Sequence, residues 1–144
     1  MNIDALLVEL RCDEGVVLRP YTDTTGHTTI GVGHNLSAKG ISPAVCDLML
    51  TEDVRDVVAD LNRYLPWWTQ LSDVRQRVLA NMCFNLGITG LVSFRNTLSC
   101  IQSGAYDAAA AGMMESLWAQ QVGPRAQRLA AMMRTGLPPP GDVA

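Results

Sequence analysis

A chain of 144 residues, 48% hydrophobic and 17% charged, has the length of one domain and the composition of a globular protein. Its formal net charge of −3 argues against nonspecific nucleic-acid binding, whose affinity comes mainly from neutralised phosphates, so nucleic acid is not an expected partner. The charge is uneven: residues 1–60 hold ten acids against four bases, and residues 61–144 hold four acids against seven bases, all arginine.

The start, MNIDALLVELRCDEG, places Ile3, Leu6, Leu7 and Leu10 on one face of an amphipathic helix. It carries acids at positions 4 and 9 and lacks the basic region and cleavage site of a signal peptide, so no export signal is expected. Gly15 and Pro20 then interrupt the helical pattern. From Tyr21 to His34 the turn cluster TDTTG and the β-branched run TTIGV predict two or three short strands. Ser42-Pro43 reads as a helix start, with serine as cap and proline in the first turn. Val54, Val57, Val58, Leu61 and Leu65 carry one face of that helix to about Tyr64, and Trp67-Trp68 after Pro66 reads as its packed end.

Ser72-Asp73 opens another helix, with Val74, Val78, Leu79, Met82, Cys83 and Leu86 at helical spacing. Ala80 and Phe84 fill its other faces, which predicts a helix buried almost all round until GITG breaks it. Shorter helices are predicted over 94–103, 105–115 and 124–134, followed by an extended or disordered tail, GLPPPGDVA. No stretch approaches the ~20 apolar residues that cross a bilayer, and no stable membrane association is expected. One small β element followed by a helical remainder gives an α+β, mostly helical class.

Cys12, Cys46, Cys83 and Cys100 show no short paired spacing, which predicts free, largely buried thiols in a reducing compartment; a disulfide between two of them stays open. His27 and His34 are seven residues apart, a separation that matches no common ligand motif, so neither metal nor cofactor is expected.

The chemistry concentrates in DEGVVLRPYTDTTGHTTIGVGH, residues 13–34. Glu14 ends the first helix, Asp23 falls in the turn between strands, and Thr29 lies in the next strand. A hairpin folding back toward the helix end brings two carboxyl groups and a hydroxyl around one cleft. Glycosidic cleavage uses such a set, one carboxyl protonated as acid and one ionised to direct water. The same DTTG would also make an ordinary turn without any catalysis.

Glu14, eight residues, Asp23, five residues, Thr29 and then IGVGH resembles the signature of the phage-type lysozymes, glycoside hydrolase family 24. The start of the chain resembles that of the family's T-even members, NMCFNLGITGLVSFRNTL resembles its core helix and following loop, and Trp118 through PRAQRLAAMMRTG resembles its closing helices. The resemblance implies a lysozyme-like fold in one domain: a small lobe with a short sheet over about 12–60, a helical lobe from 1–11 and 61–135, and a tail at 136–144. It implies Glu14 as general acid, with Asp23 and Thr29 positioning a water on the opposite sugar face. Inversion would follow, with the carboxyl groups roughly 6.5–9.5 Å apart.

The implied substrate is bacterial peptidoglycan, cut between N-acetylmuramic acid and N-acetylglucosamine. Arg125 would pair with Glu14 through forked hydrogen bonds, His34 with Asp53 as a stabilising pair, and Phe84 and Thr97 would line the saccharide cleft. Gly112, Leu117 and Asn35 depart from the family's substrate-contacting residue types, and the acidic charge departs from its usual basic one; Arg95, Arg125, Arg128 and Arg134 would offset it if they share a face. The implied role is that of a monomeric endolysin for host cell lysis, held in the host cytoplasm until a separate holin-type protein opens the membrane to the cell wall and periplasm. The alternatives are a lytic transglycosylase, or a glycan-binding module that has lost activity.

Overall fold

The computed structural model describes residues 1–139, so part of the predicted tail, residues 140–144, lies outside the described residues. The class is α+β and mostly helical, with one small antiparallel sheet near the N-terminus. The chain forms two compact units, residues 1–49 and residues 50 onward.

The first unit opens with α1 (Ile3–Glu14), whose start is capped by Asn2 Oδ1 accepting the Ala5 N–H. Its apolar side chains recur at helical spacing as expected, yet none of its residues is buried. β1 (Val17–Thr22), β2 (Thr28–Gly31) and β3 (His34–Asn35) follow in the order β1-β2-β3, all antiparallel. β1 starts four residues earlier than the sequence suggests and contains Pro20. Proline lacks the N–H that an inner strand would need, and β1 tolerates it as an edge strand whose pairing is irregular between Val17 and Tyr21. A one-turn helix, α2 (Leu36–Lys39), was not foreseen; Asn35 Oδ1 caps it by accepting from the Ala38 N–H.

Thr29 is the one buried residue of this unit. Local hydrogen bonds rather than an apolar core therefore give it its shape.

α3 (Pro43–Tyr64) begins where Ser42-Pro43 predicts, the serine hydroxyl accepting from the Val45 N–H, and runs from the first unit into the second. The second unit holds the core. A 3₁₀ turn (Pro66–Gln70) buries Trp68, whose indole N–H donates to Asn62 Oδ1 at 2.8 Å, and Trp67 packs partly buried against the core. The tryptophan pair is thus the packed end of the long helix, as expected. α4 (Asp73–Val92), α5 (Arg95–Gln102), α6 (Tyr106–Met114), α7 (Leu117–Val122) and α8 (Pro124–Thr135) complete the unit. Leu61, Val78, Leu79, Met82, Leu91, Ile101, Met113 and Met133 are excluded from solvent, each such side chain stabilising by about 1.5–3 kcal/mol. Ala109 and Ala110 on α6, both fully buried, are small enough to let α8 approach closely.

Three expectations need correction here. α4 is not buried all round, because Phe84 is 44% exposed and Arg77 and Asn85 also face out. GITG does not end it: Gly87 alone leaves helical geometry (φ 68°, ψ 166°), and the helix resumes through Val92. Cys12 and Cys46 are exposed, since α1 and the start of α3 contribute nothing to a core, although all four thiols are free.

Candidate active site

The turn between β1 and β2 is built around one side chain. Asp23 N–H donates to His27 O, Gly26 N–H donates to Asp23 O, and Gly26 takes the positive φ of 84° that closes the turn. Within it, Asp23 Oδ1 accepts three hydrogen bonds: the Thr25 N–H at 2.9 Å, the Thr25 hydroxyl at 2.8 Å and the His27 N–H at 2.9 Å. Aspartate favours this arrangement because its short side chain reaches the N–H two residues on. The other oxygen, Oδ2, accepts only the Thr29 hydroxyl, at 3.3 Å.

These donors hold Asp23 ionised. Its pKa falls from 3.8 to about 2, chiefly through the His27 N–H and then the Thr25 hydroxyl; partial desolvation opposes them, and the Thr25 N–H and Thr29 hydroxyl add to the lowering. The side chain nonetheless keeps 27% of its surface exposed. Thr29 is held by the sheet, opposite Tyr21 on one side and Asn35 on the other, and is 3% exposed. Its hydroxyl also lies 3.3 Å from His27 O, so one proton is shared between two acceptors.

Glu14 is the last residue of α1, where Gly15 N–H caps the helix by donating to Arg11 O. A Cβ on Gly33, in the β2–β3 turn, would stand 3.5 Å from Glu14 Oε2. The turn therefore comes close to the carboxyl group, and glycine keeps that side open. Within the first unit, among the described residues, the Glu14 carboxyl makes no hydrogen bond or ion pair. Glu14, Asp23 and Thr29 all belong to this unit, with one carboxyl group in open surroundings and the other accepting four hydrogen bonds, three of them on Oδ1.

His34 Nε2 donates to the Gly40 carbonyl at 2.6 Å, joining β3 to the end of α2. Asp53 belongs to the second unit, where it borders a recess of about 310 Å³ with Asp56, Asp60, Cys83 and Phe84. Arg125 is anchored by α4: its Nε donates to Asn81 Oδ1 at 2.9 Å and its Nη2 to Asn81 O at 3.3 Å. Phe84 and Arg125 share a cavity of about 410 Å³ with Leu50, Val54, Arg77 and Asn81. Thr97 lies elsewhere in the unit, 7% exposed on α5, with Gly112 of α6 directly opposite. The structure thus brings Phe84 together with Arg125 in one cavity, whose lining residues do not include Thr97.

Sequence reasoning missed Asn81, Thr25 and His27. The DxT spacing inside DTTG was the available signal for Thr25, because a hydroxyl two residues after a turn aspartate can reach its carboxylate. Nothing in the sequence marks Asn81, which becomes visible only when α4 and α8 pack together.

A model of the family described as phage lysozyme matches residues 12–134. Among curated relatives, the pre-baseplate central spike protein Gp5 of Enterobacteria phage T4 is 28% identical across 88% of this chain, which spans only 27% of that protein's length. Two Dictyostelium discoideum proteins, probable T4-type lysozymes 1 and 2, are 24% and 25% identical over 88% and 93% of this chain and 92% and 96% of their own length. With a family model matching most of its length, the chain belongs to the phage lysozyme family, a family of glycoside hydrolases.

Proposed function

We propose that the protein hydrolyses the β-1,4 bond between N-acetylmuramic acid and N-acetylglucosamine in peptidoglycan, with inversion, as an endolysin for host cell lysis. The observation that carries this reading is the inequality of the two Asp23 oxygens. Oδ1 is saturated by three donors, whereas Oδ2 has one and keeps lone-pair capacity. A water accepted there can also donate to Thr29 Oγ1, which fixes its direction of attack. An ionised Asp23 makes that water more nucleophilic and stabilises positive charge on the sugar ring.

Glu14, open and beside the Gly33 turn, serves as the acid that protonates the leaving oxygen. Arg125, held by Asn81, retains donors on both terminal nitrogens. The saccharide contacts of Phe84 and Thr97 belong to the same reading.

Isolated peptidoglycan incubated with the wild type or Glu14→Gln, followed by mass spectrometry of the released sugars, tests it. Reducing N-acetylmuramic ends with the wild type, and none with the variant, are the expected result. Anhydro ends would identify a transglycosylase, whose reaction needs no positioned water and leaves Asp23 without its role. Binding to several wall types without release would identify a glycan-binding module.

A further inference from the structure

The Thr25 hydroxyl stands 2.8 Å from Asp23 Oδ1 and 2.7 Å from His27 Nδ1. It has a single proton to give. If that proton went to His27, the hydroxyl oxygen would face a carboxylate oxygen at 2.8 Å with no hydrogen between them, and the contact would be repulsive. If it goes to Asp23, the contact with His27 is bonded only when Nδ1 brings its own hydrogen. Both short contacts are satisfied together in one arrangement alone.

We propose that Thr25 and His27 are positioning residues for Asp23, forming a directed relay in which His27 Nδ1–H donates to Thr25 Oγ1 and the Thr25 hydroxyl donates to Asp23 Oδ1. The proposal rests on the role given to Asp23 above. Neither residue touches the reacting atoms. Together with the N–H groups of Thr25 and His27, the relay fills Oδ1 from three directions, which locks the plane of the carboxylate. Locking that plane is what aims Oδ2 at Thr29. The relay also dictates the imidazole tautomer: neutral His27 carries its hydrogen on Nδ1 and leaves Nε2 as an acceptor on a half-exposed ring.

The test combines ¹⁵N NMR of the His27 ring, at a pH where it is neutral, with kinetics on isolated peptidoglycan. The wild type shows the Nδ1–H tautomer, and Thr25→Val, which keeps the shape but removes the hydroxyl, loses that preference. Thr25→Val also lowers kcat by roughly ten- to a hundredfold at a nearly unchanged KM, as expected when a reacting group is slightly misplaced. Thr25→Ser restores both readouts. His27→Asn, whose amide nitrogen can occupy the Nδ1 position, keeps kcat near the wild type, whereas His27→Leu lowers it.

An Nε2–H tautomer in the wild type would overturn the relay, as would wild-type kcat in Thr25→Val or a loss that serine does not rescue. If the wild type released no sugar at all, the functional reading would fail, and the tautomer of His27 would still decide the relay.

Discussion

The Thr29 hydroxyl donates to Asp23 Oδ2 at 3.3 Å, on the one carboxylate oxygen that the hairpin turn leaves open. Replacing Asp23 by Asn changes that oxygen while the turn's own N–H donors keep an acceptor at Oδ1. Asp23→Asn is therefore expected to lower kcat by about 10²–10⁴-fold, the range for loss of a group that handles a proton in the transition state. Its far-UV circular dichroism should match the wild type. Activity within a few-fold of wild type would remove Asp23 from the mechanism.

The same donors link this residue to acid stability. Asp23 titrates near 3.8 when unfolded and about 2 when folded. A depressed carboxyl contributes stability fully present above the unfolded value and lost as pH falls through the folded one. The stability difference between the wild type and Asp23→Asn should thus be constant above about pH 5 and shrink between about pH 4 and pH 2. Urea unfolding at stepped pH measures it, and a gap that stays constant down to pH 2 would show that the carboxylate is not held by these bonds.

How much of this was legible in the sequence differs between the two units. In the second unit the helical spacing of Val74, Val78, Leu79 and Met82 marks the core, because burial there follows from periodicity. The failures lie where periodicity says nothing. Phe84 was expected to help bury the other faces of α4 but is exposed beside a cavity, and Pro20 reads as a break although an edge strand accepts it. In the first unit Glu14, Asp23 and Thr29 were singled out by their motif. The way Asp23 is held was not, because it depends on which atom of Thr25 and of His27 turns inward, and a residue string does not encode that direction.

Arg75 locks the end of α8 onto α4. Its Nε donates to Met133 O at 2.9 Å and its Nη2 to Arg134 O at 3.2 Å, while its guanidinium stacks 3.6 Å over the Tyr106 ring. Helix ends leave carbonyls unsatisfied, and here a cation meets them where the helix dipole favours it. Arg75→Met keeps most of the stem and should cost about 1–3 kcal/mol of unfolding free energy, with kcat unchanged. Gly136→Ala should act through the same place, because its Cβ would lie 2.8 Å from Arg75 Nη1 at a φ of +69°. Thermal unfolding of the two single variants and the double variant should show losses that do not add.

The thiols should divide by environment. Cys12 and Cys46 are exposed, whereas Cys83 is buried, and its pKa is raised by that burial and by the charge of Asp60. An aromatic disulfide reagent at pH 8 should modify two thiols rapidly in the native protein and reach Cys83 only on unfolding. Fast native labelling of Cys83 in a peptide map would contradict the packing around it.

Gly112 follows a run of four alanines, Ala108 to Ala111, inside α6. Glycine there costs about 1 kcal/mol relative to alanine in helix propensity, so something must favour it. The structure supplies the reason: a Cβ at 112 would lie 2.7 Å from Thr97 Oγ1, closer than such atoms approach, and Thr97 is buried at 7% exposure on the facing helix. Relief would require turning Thr97 inside a packed contact. Gly112→Ala should consequently destabilise the protein by about 1–3 kcal/mol, the usual range for overpacking, in place of the gain that propensity alone predicts. In a Thr97→Ala background the obstruction is gone, and the same substitution should become neutral or stabilising by up to about 1 kcal/mol. Denaturant unfolding of the four members of this cycle measures the coupling. If Gly112→Ala stabilised the wild type, the close approach of α5 and α6 would not be what keeps glycine at this position.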